Sequence, residues 1–357
     1  MTELADRNAF AAAVAAAAAA TEPLQLHLGY MSLRRLPAEM VAVTHVRELS
    51  LECNALAELP EAFGASCPAL TRLNLQQNAL RALPASLATL PRLRELWLSD
   101  NQLRSLAPLE RCAHLQLLVA SKNRVCALPD ELGALGALRQ LALAENELVE
   151  LPSSFTALSS LRQLTLRQNQ LRTLPTGLGT GLAQLQELNL GHNMLTELDD
   201  DAESGFGALT ALRSLSLRDN QLQRLPAALA QCERLTVLTV WDNELNVLPP
   251  NLFDRMGAKL EKLSLRSNTI VVLPPSITLL TGLRELWLRN NRIAELPASI
   301  GALSGLRDLF LRYNRLTELP AGIGALRQLR RLSLSDNQLS VRHAEPRWRG
   351  RCVALRK

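Results

Sequence analysis

The chain has 357 residues and a formal net charge of +5, and 47% of its residues are hydrophobic while 20% are charged. This balance excludes a largely disordered chain, and without an uncharged apolar run of about 18 residues no membrane-spanning helix is predicted. The charge excess lies in residues 341–357, so residues 1–340 are neutral overall and nucleic acid is not the expected partner.

The first predicted element is an N-terminal helix in residues 1–22. Residues 9–20 are alanine apart from Phe10 and Val14, and alanine has the highest helix propensity. A secretory signal is the alternative, but Glu3 and Asp6 precede the tract and alanine makes a weak apolar core for targeting. We therefore expect a helix that caps the first repeat of the segment that follows.

A repeat with the frame L-x-x-L-x-L-x-x-N-x-L occupies residues 23–340. Leucine accounts for 81 residues of the chain, and the repeat asparagines are spaced 22 to 27 residues apart. These asparagines are Asn54, Asn78, Asn101, Asn123, Asn146, Asn169, Asn193, Asn220, Asn243, Asn268, Asn291, Asn314 and Asn337. One earlier frame has Met31 in the asparagine position, which gives about fourteen repeats.

Each repeat predicts a strand followed by a return segment. Alternation in L-x-L buries two leucines and exposes the residues between them, and the asparagine amide can serve backbone groups of neighbouring repeats. Most returns begin with Leu-Pro and continue with apolar residues three or four apart, which favours a short helical or 3₁₀ turn. The predicted fold is a curved α/β solenoid with a parallel inner sheet.

These residues resemble the leucine-rich repeat proteins. The returns Leu296–Leu303 (LPASIGAL) and Leu319–Leu326 (LPAGIGAL) are similar to those of the intracellular class that includes Ras-suppressor proteins and plant intracellular Ras-group-related proteins. The resemblance implies a horseshoe that binds proteins without catalysing a reaction. It also suggests a small GTPase or a component of a phosphatase or kinase pathway as the partner, by analogy alone.

No catalytic, cofactor or metal site is predicted. Gly177, Gly179 and Gly181 lack the remaining residues of a phosphate-binding loop, and the five histidines lie in different repeats without metal-ligand spacing. The acidic insertion at residues 199–203 can be interpreted as a cation site, but the spacing of a calcium loop is missing, so a solvated outer loop is favoured.

The cysteines favour a reduced, cytoplasmic protein. Cys67, Cys112 and Cys232 each lie three residues before the first frame leucine of a repeat, a position that usually holds leucine. We expect them to be small buried substitutes for leucine. The other cysteines are scattered singly and no CxxC pair occurs.

Aromatic and arginine residues at outward strand positions predict a recognition site. Arg266, Arg289 and Arg312 follow the last strand leucine of three consecutive repeats, so like charges recur at strand spacing unless an acidic partner answers them. Exposed aromatic side chains are typical binding anchors. The predicted site comprises Trp241, Arg266, Trp287, Arg289, Phe310, Arg312 and Tyr313. Alternatively, the arginines extend into solvent beside Glu285 and Asp308.

The sequence thus predicts a non-catalytic, monomeric scaffold or adaptor for intracellular signalling, which binds an acidic or mixed protein surface through its concave face. Residues 341–357 are expected to form a solvated basic tail. Two alternatives remain open at this point. The chain could be the regulatory segment of a larger enzyme, or a receptor for a small anionic ligand.

Overall fold

The computed structural model describes residues 12–16, 19, 24–36 and 43–340. The chain divides into two compact units, Met1–Gln170 and Leu171–Lys357. Within residues 1–22, residues 12–16 are helical and Val14 is buried, and the remainder of the predicted N-terminal helix lies mainly outside the described residues. The basic tail predicted for residues 341–357 lies wholly outside them.

Seven strands form a parallel sheet in each unit. In the first unit they are β1 (Leu24–His27), β2 (Val46–Ser50), β3 (Arg72–Asn74), β4 (Glu95–Trp97), β5 (Leu117–Val119), β6 (Gln140–Ala142) and β7 (Gln163–Thr165). In the second they are β8 (Glu187–Asn189), β9 (Ser214–Ser216), β10 (Val237–Thr239), β11 (Lys262–Ser264), β12 (Glu285–Trp287), β13 (Asp308–Phe310) and β14 (Arg331–Ser333). Each strand pairs with the next strand of its unit, in the order of the chain.

The register of the strands places the same frame position of each repeat side by side. Leu286 of β12, for example, lies beside Leu309 of β13, and Trp287 lies beside Phe310. A one-residue slip would move the leucines to the solvent side of the sheet, so burial of the leucines fixes the register. Outward residues at one frame position therefore form a column across the strands of a unit.

The return segments are short, as predicted. Two are single α-turns, Phe63–Ser66 and Leu178–Gly181. Most of the others are the 3₁₀ helices Ala85–Thr89, Leu109–Arg111, Asp130–Ala134, Ser153–Ala157, Phe206–Ala208, Ala227–Gln231, Pro275–Leu279, Ala298–Ala302 and Ala321–Ala325. The return between β10 and β11 consists of turns over residues 250–259. Most returns follow a Leu-Pro pair, where proline restricts φ and its missing N–H leaves no unpaired donor. The predicted parallel sheet with short helical or 3₁₀ returns is confirmed in each unit.

Asparagine side chains join successive repeats within the buried part of the fold. The amide oxygen of Asn291 accepts a hydrogen bond from the Ile270 N–H at 3.1 Å. Its Nδ2 donates to the carbonyl oxygens of Leu265 and Leu288, both at 3.0 Å. Asn291 is only 8% exposed, so these bonds satisfy backbone groups that water cannot reach.

The residue before each repeat asparagine adopts a left-handed backbone conformation, which the sequence analysis did not predict. In every repeat with an asparagine, from the first such residue (Cys53) to the last (Asp336), its φ lies between 52° and 59°. Glycine does not occupy this position in any of them. At Tyr313 the φ is 55°. L-residues disfavour this region by about 1–2 kcal/mol each, so the packing of the strand against its neighbours holds the turn in place.

Three cysteines replace leucine in the core, as predicted. Cys67, Cys112 and Cys232 are buried. Burial raises the pKa of the Cys67 and Cys232 thiols to about 12 and that of Cys112 to about 11. These thiols are therefore neutral at physiological pH and pack as apolar groups. Among the described residues, no helix is long and apolar enough to cross a membrane.

Candidate functional site

The seven residues of the predicted site all lie in the second unit, on the face of its sheet opposite the buried leucines. We call this surface the strand face. Trp287 and Phe310 lie between the two strand leucines of their repeats. Arg218, Trp241, Arg266, Arg289 and Arg312 occupy the position two residues before the repeat asparagine, and we call these five residues the arginine column.

Trp287 and Phe310 stack on each other. Their ring centroids are 4.2 Å apart and the rings are tilted by 36°. Both side chains are half-buried rather than fully exposed, because each covers part of the other. The indole N–H of Trp287 donates to a carboxylate oxygen of Glu285 at 3.1 Å. The surface that this aromatic pair offers to a ligand is therefore apolar.

Trp241 separates two arginines of the arginine column. The guanidinium carbons of Arg218 and Arg266 lie 5.3 and 5.2 Å from the centroid of its ring. Cation–π contacts of this length are stabilising. The sequence analysis included Trp241 and Arg266 in the site but omitted Arg218. Its place in the same column, one repeat earlier, is the sequence signal that could have included it.

Tyr313 is 40% exposed and lies beside the last two arginines of the column. The guanidinium carbons of Arg289 and Arg312 are 5.3 and 4.5 Å from its ring centroid. Arg312 also donates to the Tyr313 hydroxyl at 2.8 Å. The tyrosine thus connects two neighbouring cations, which the sequence analysis described only as a ladder of like charges.

Two arginines of the column are paired with carboxylates that the sequence analysis did not include. Arg266 lies 3.8 Å from Asp242, and the Nε of Arg312 donates to Asp336 at 2.8 Å. The hydrogen bond with Asp336 raises the pKa of the Arg312 guanidinium. Both aspartates occupy the left-handed position before a repeat asparagine. An acid directly before the asparagine of a neighbouring repeat is therefore the sequence signal for these ion pairs, and the sequence analysis missed it.

Arg289 differs from these two arginines. No carboxylate of the described residues lies within 4 Å of its guanidinium, although it is exposed on the same surface. Arg266 is paired through the preceding repeat and Arg312 through the following one. The corresponding positions beside Arg289 hold Ser267 and Tyr313, and neither is an acid. The middle arginine of the three is therefore not neutralised.

The first outward position of each strand carries a second set of charges. Lys262 lies 3.3 Å from Glu285, and Arg331 donates two hydrogen bonds to Asp308 at 2.5 and 2.7 Å. The bond to Asp308 raises the pKa of the Arg331 guanidinium. Glu285 and Asp308, which the alternative placed beside the column arginines, are thus held by Lys262 and Arg331.

The glycines and acids considered for chemistry have structural roles. Gly177 has a φ of 75° and caps a helical turn, and a Cβ on Gly179 would lie 1.7 Å from the Gly205 carbonyl oxygen. Asp201 accepts hydrogen bonds from the backbone N–H groups of Glu203 and Ser204 at 2.8 and 2.7 Å, which lowers its pKa. Across the described part of the chain, no three His, Cys, Asp or Glu residues are placed to hold a metal ion.

Comparison with known families and with solved structures identifies the repeats as leucine-rich repeats. The sequence model of the family described as leucine rich repeat matches residues 44–103, 113–171, 159–222, 183–239, 233–293 and 281–339. The structure is similar to that of a leucine-rich repeat protein from Leptospira interrogans, with a TM-score of 0.82 and 35% identity. That match covers 90% of this chain and 80% of the other.

Two further similar structures contain a bound partner. The Toll–Spätzle complex of Drosophila matches with 25% identity and a TM-score of 0.78, over 89% of this chain and 44% of that chain. The plant peptide hormone receptor RGFR1 in complex with RGF2 matches with 26% identity and a TM-score of 0.71, over 89% and 59%.

One curated relative also matches in sequence. A volume-regulated anion channel subunit of Xenopus tropicalis, LRRC8E, is 34% identical over 100 residues. These residues are 28% of this chain but only 12% of the channel subunit. The match therefore concerns the repeats and a small fraction of the relative.

Proposed function

Because the chain belongs to the leucine-rich repeat family, whose domains bind protein partners, we propose that it is a non-catalytic interaction scaffold. Its binding surface is the strand face of the second unit, at the seven residues predicted from the sequence. The partner is a protein with an acidic or mixed surface. No step of this function requires a cofactor or a metal ion.

The observation that carries this proposal is the combination of the arginine column with the stacked pair of Trp287 and Phe310. Aromatic and arginine side chains dominate the binding energy of protein interfaces. Here they lie together on one exposed surface, and the stacked rings hold each other in place before a partner arrives. Such preorganisation reduces the entropy lost on binding.

The cellular setting is part of the same proposal. The scattered cysteines and the resemblance of the Leu-Pro returns to the Ras-suppressor type support a monomeric protein that acts in the cytoplasm, in a signalling pathway. A small GTPase, or a component of a phosphatase or kinase pathway, is the partner class that this resemblance suggests.

Affinity capture from native lysate tests the proposal. The wild-type chain is compared with a variant that carries Arg266→Glu, Trp287→Ala and Arg289→Glu. A matched control carries Arg94→Glu, Trp97→Ala and Arg139→Glu, which make the same changes of charge and size in the first unit. Circular dichroism first confirms that all three proteins are folded.

We expect one protein to be retained by the wild type and the control and lost by the first variant. Capture of the same proteins by all three chains would contradict the proposed site. Loss from the control alone would place the binding surface near Trp97 instead.

A further inference from the structure

Arg289 is a cation of the strand face that has no acidic partner among the described residues. Its neighbours in the column, Arg266 and Arg312, already hold Asp242 and Asp336 at 3.8 and 2.8 Å. Within the described residues, the guanidinium of Arg289 has no acidic partner and lies over the face of the Tyr313 ring, 5.3 Å from its centroid. A guanidinium has five N–H donors in a planar fork that matches a carboxylate. Arg289 is thus free to bind one.

The nearby acids do not repel an incoming carboxylate strongly. Glu285 is held by Lys262 at 3.3 Å and by the Trp287 indole N–H at 3.1 Å. Asp308 is nearly buried and accepts both hydrogen bonds of Arg331. Each acid on this part of the surface has its own cation, which leaves the positive charge of Arg289 without compensation.

The aromatic pair lies next to this cation at a defined spacing. Trp287 precedes Arg289 by two residues, so their outward side chains are about 7 Å apart along an extended chain. In an extended peptide, side chains two residues apart point to the same face at the same spacing. Such a peptide can place an apolar side chain on the ring pair and a carboxylate on Arg289 simultaneously.

From this geometry we infer that the strand face recognises an extended segment of a protein partner in which an apolar residue and an aspartate or glutamate are two positions apart. The carboxylate binds Arg289, and the apolar side chain packs on Trp287 and Phe310. This inference rests on the proposed function and specifies the chemistry of its partner. The acidic group is a side-chain carboxylate and not the carboxyl terminus of the partner, because the two-residue spacing holds between side chains of one extended segment.

Selection from a phage library of random 12-residue peptides tests the inference on the full chain. Fusion to the coat protein blocks the peptide carboxyl terminus, so only side-chain acids can respond. We expect sequences bound by the wild type to be enriched in an apolar residue two positions from an acid. For a synthetic peptide of that type, Arg289→Ala should weaken binding about tenfold or more, since a charge-assisted hydrogen bond is lost.

Charge reversal gives the sharper result. Selection on the Arg289→Glu variant should replace the acid with lysine or arginine and keep the apolar position, whereas Trp287→Ala should keep the acid and lose the apolar preference. The matched control Arg94→Glu, which makes the same change of charge in the first unit, should select the wild-type pattern. An unchanged pattern in Arg289→Glu, or no enriched peptide at all, would overturn the inference.

Failure of this inference can be distinguished from failure of the proposed function. If lysate capture depends on the site while peptides show no acid preference, the scaffold function stands and the recognised chemistry is different. Binding of single-stranded oligonucleotides or inorganic phosphate to Arg289, with no selected peptide, also overturns the peptide inference. If the lysate capture also fails, the proposed function itself is wrong.

Discussion

The strand faces of β3–β6 in the first unit and β11–β14 in the second have the same frame but different outward side chains. At the position between the strand leucines, strands β3–β6 have Asn74, Trp97, Val119 and Ala142, whereas strands β11–β14 have Ser264, Trp287, Phe310 and Ser333. At the position two residues before the asparagine, the repeats of β3–β6 have Gln76, Ser99, Ser121 and Ala144, whereas the repeats of β11–β14 have Arg266, Arg289, Arg312 and Ser335. The leucines and asparagines build the fold in both, so the exposed columns can differ without changing it.

Substitutions of frame leucines should have the largest effect and should not distinguish the two regions. Leu118 in β5 and Leu286 in β12 are both fully buried. Leu118→Ala and Leu286→Ala should each lower the free energy of unfolding by about 2–5 kcal/mol, because each leaves a cavity. Urea denaturation measures the change. A large difference between the two variants would show that the frame is not equivalent in the two units.

Loss of a repeat asparagine should also have a similar effect in both regions. Asn146 accepts from the Val125 N–H and donates to the Ala120 and Leu143 carbonyls, just as Asn291 serves its own neighbours. Asn146→Ala and Asn291→Ala should each destabilise the protein by about 2–3 kcal/mol, because buried backbone groups lose their partners. Thermal and urea unfolding measure the cost, with Asn246→Ala as an exposed control. A much smaller effect at Asn146 or Asn291 would contradict this role of the amide.

The buried cysteines allow a comparison by pH. Cys112 of the first unit and Cys232 of the second occupy the same frame position, and their folded-state pKa values are about 11 and 12. Unfolded thiols ionise near the usual pKa of 9, so their contribution to stability is complete below pH 9 and is lost as pH rises towards 12. The urea midpoint should fall over that range, and Cys112→Ala or Cys232→Ala should flatten the fall.

Chemical labelling checks the same thiols independently. At pH 8 the folded protein should react with iodoacetamide at the exposed Cys126 and leave Cys67, Cys112 and Cys232 unmodified. Mass spectrometry of the digested protein identifies the labelled sites. Rapid labelling of Cys112 or Cys232 in the folded state would contradict their assignment to the core.

Truncation of the unpaired arginine should have the smallest effect on stability. Arg289→Ala should change the free energy of unfolding by no more than about 0.5 kcal/mol, because an exposed side chain without a carboxylate partner contributes little to the folded state. Urea denaturation beside Leu286→Ala provides the comparison. A clear destabilisation would mean that Arg289 supports the fold, and its availability for a partner would then be in doubt.

Most of the fold was predictable from the sequence because periodicity and burial determine it. The leucine frame located the strands, and Leu-Pro located most of the returns. The left-handed turn before each asparagine was not predicted, because residues as different as Lys122, Glu145 and Tyr313 occupy it and glycine never does. Packing of the neighbouring strands imposes this conformation, and local residue preference does not reveal it.

The positions of the predicted site residues on the strand face followed from the sequence, but the ion pairs among them did not. Column position was sufficient to place Trp287 beside Phe310 and to align the arginines. Which arginines are neutralised depends on side-chain reach between repeats, and the sequence analysis did not consider the acids one position further along, such as Asp242 and Asp336. The distinction between Arg289 and its neighbours therefore required the structure.

The left-handed turns also give a route to engineering greater thermal stability. Each is a position where the backbone is held in a conformation that its side chain disfavours, and asparagine tolerates that conformation better than most residues. Replacement of exposed turn residues such as Gln77 or Lys122 by asparagine would relieve this penalty, and small gains at separate repeats usually add. Because the same turn recurs in successive repeats, one type of substitution can be made at several positions. None of these substitutions alters the leucine core or the arginine column.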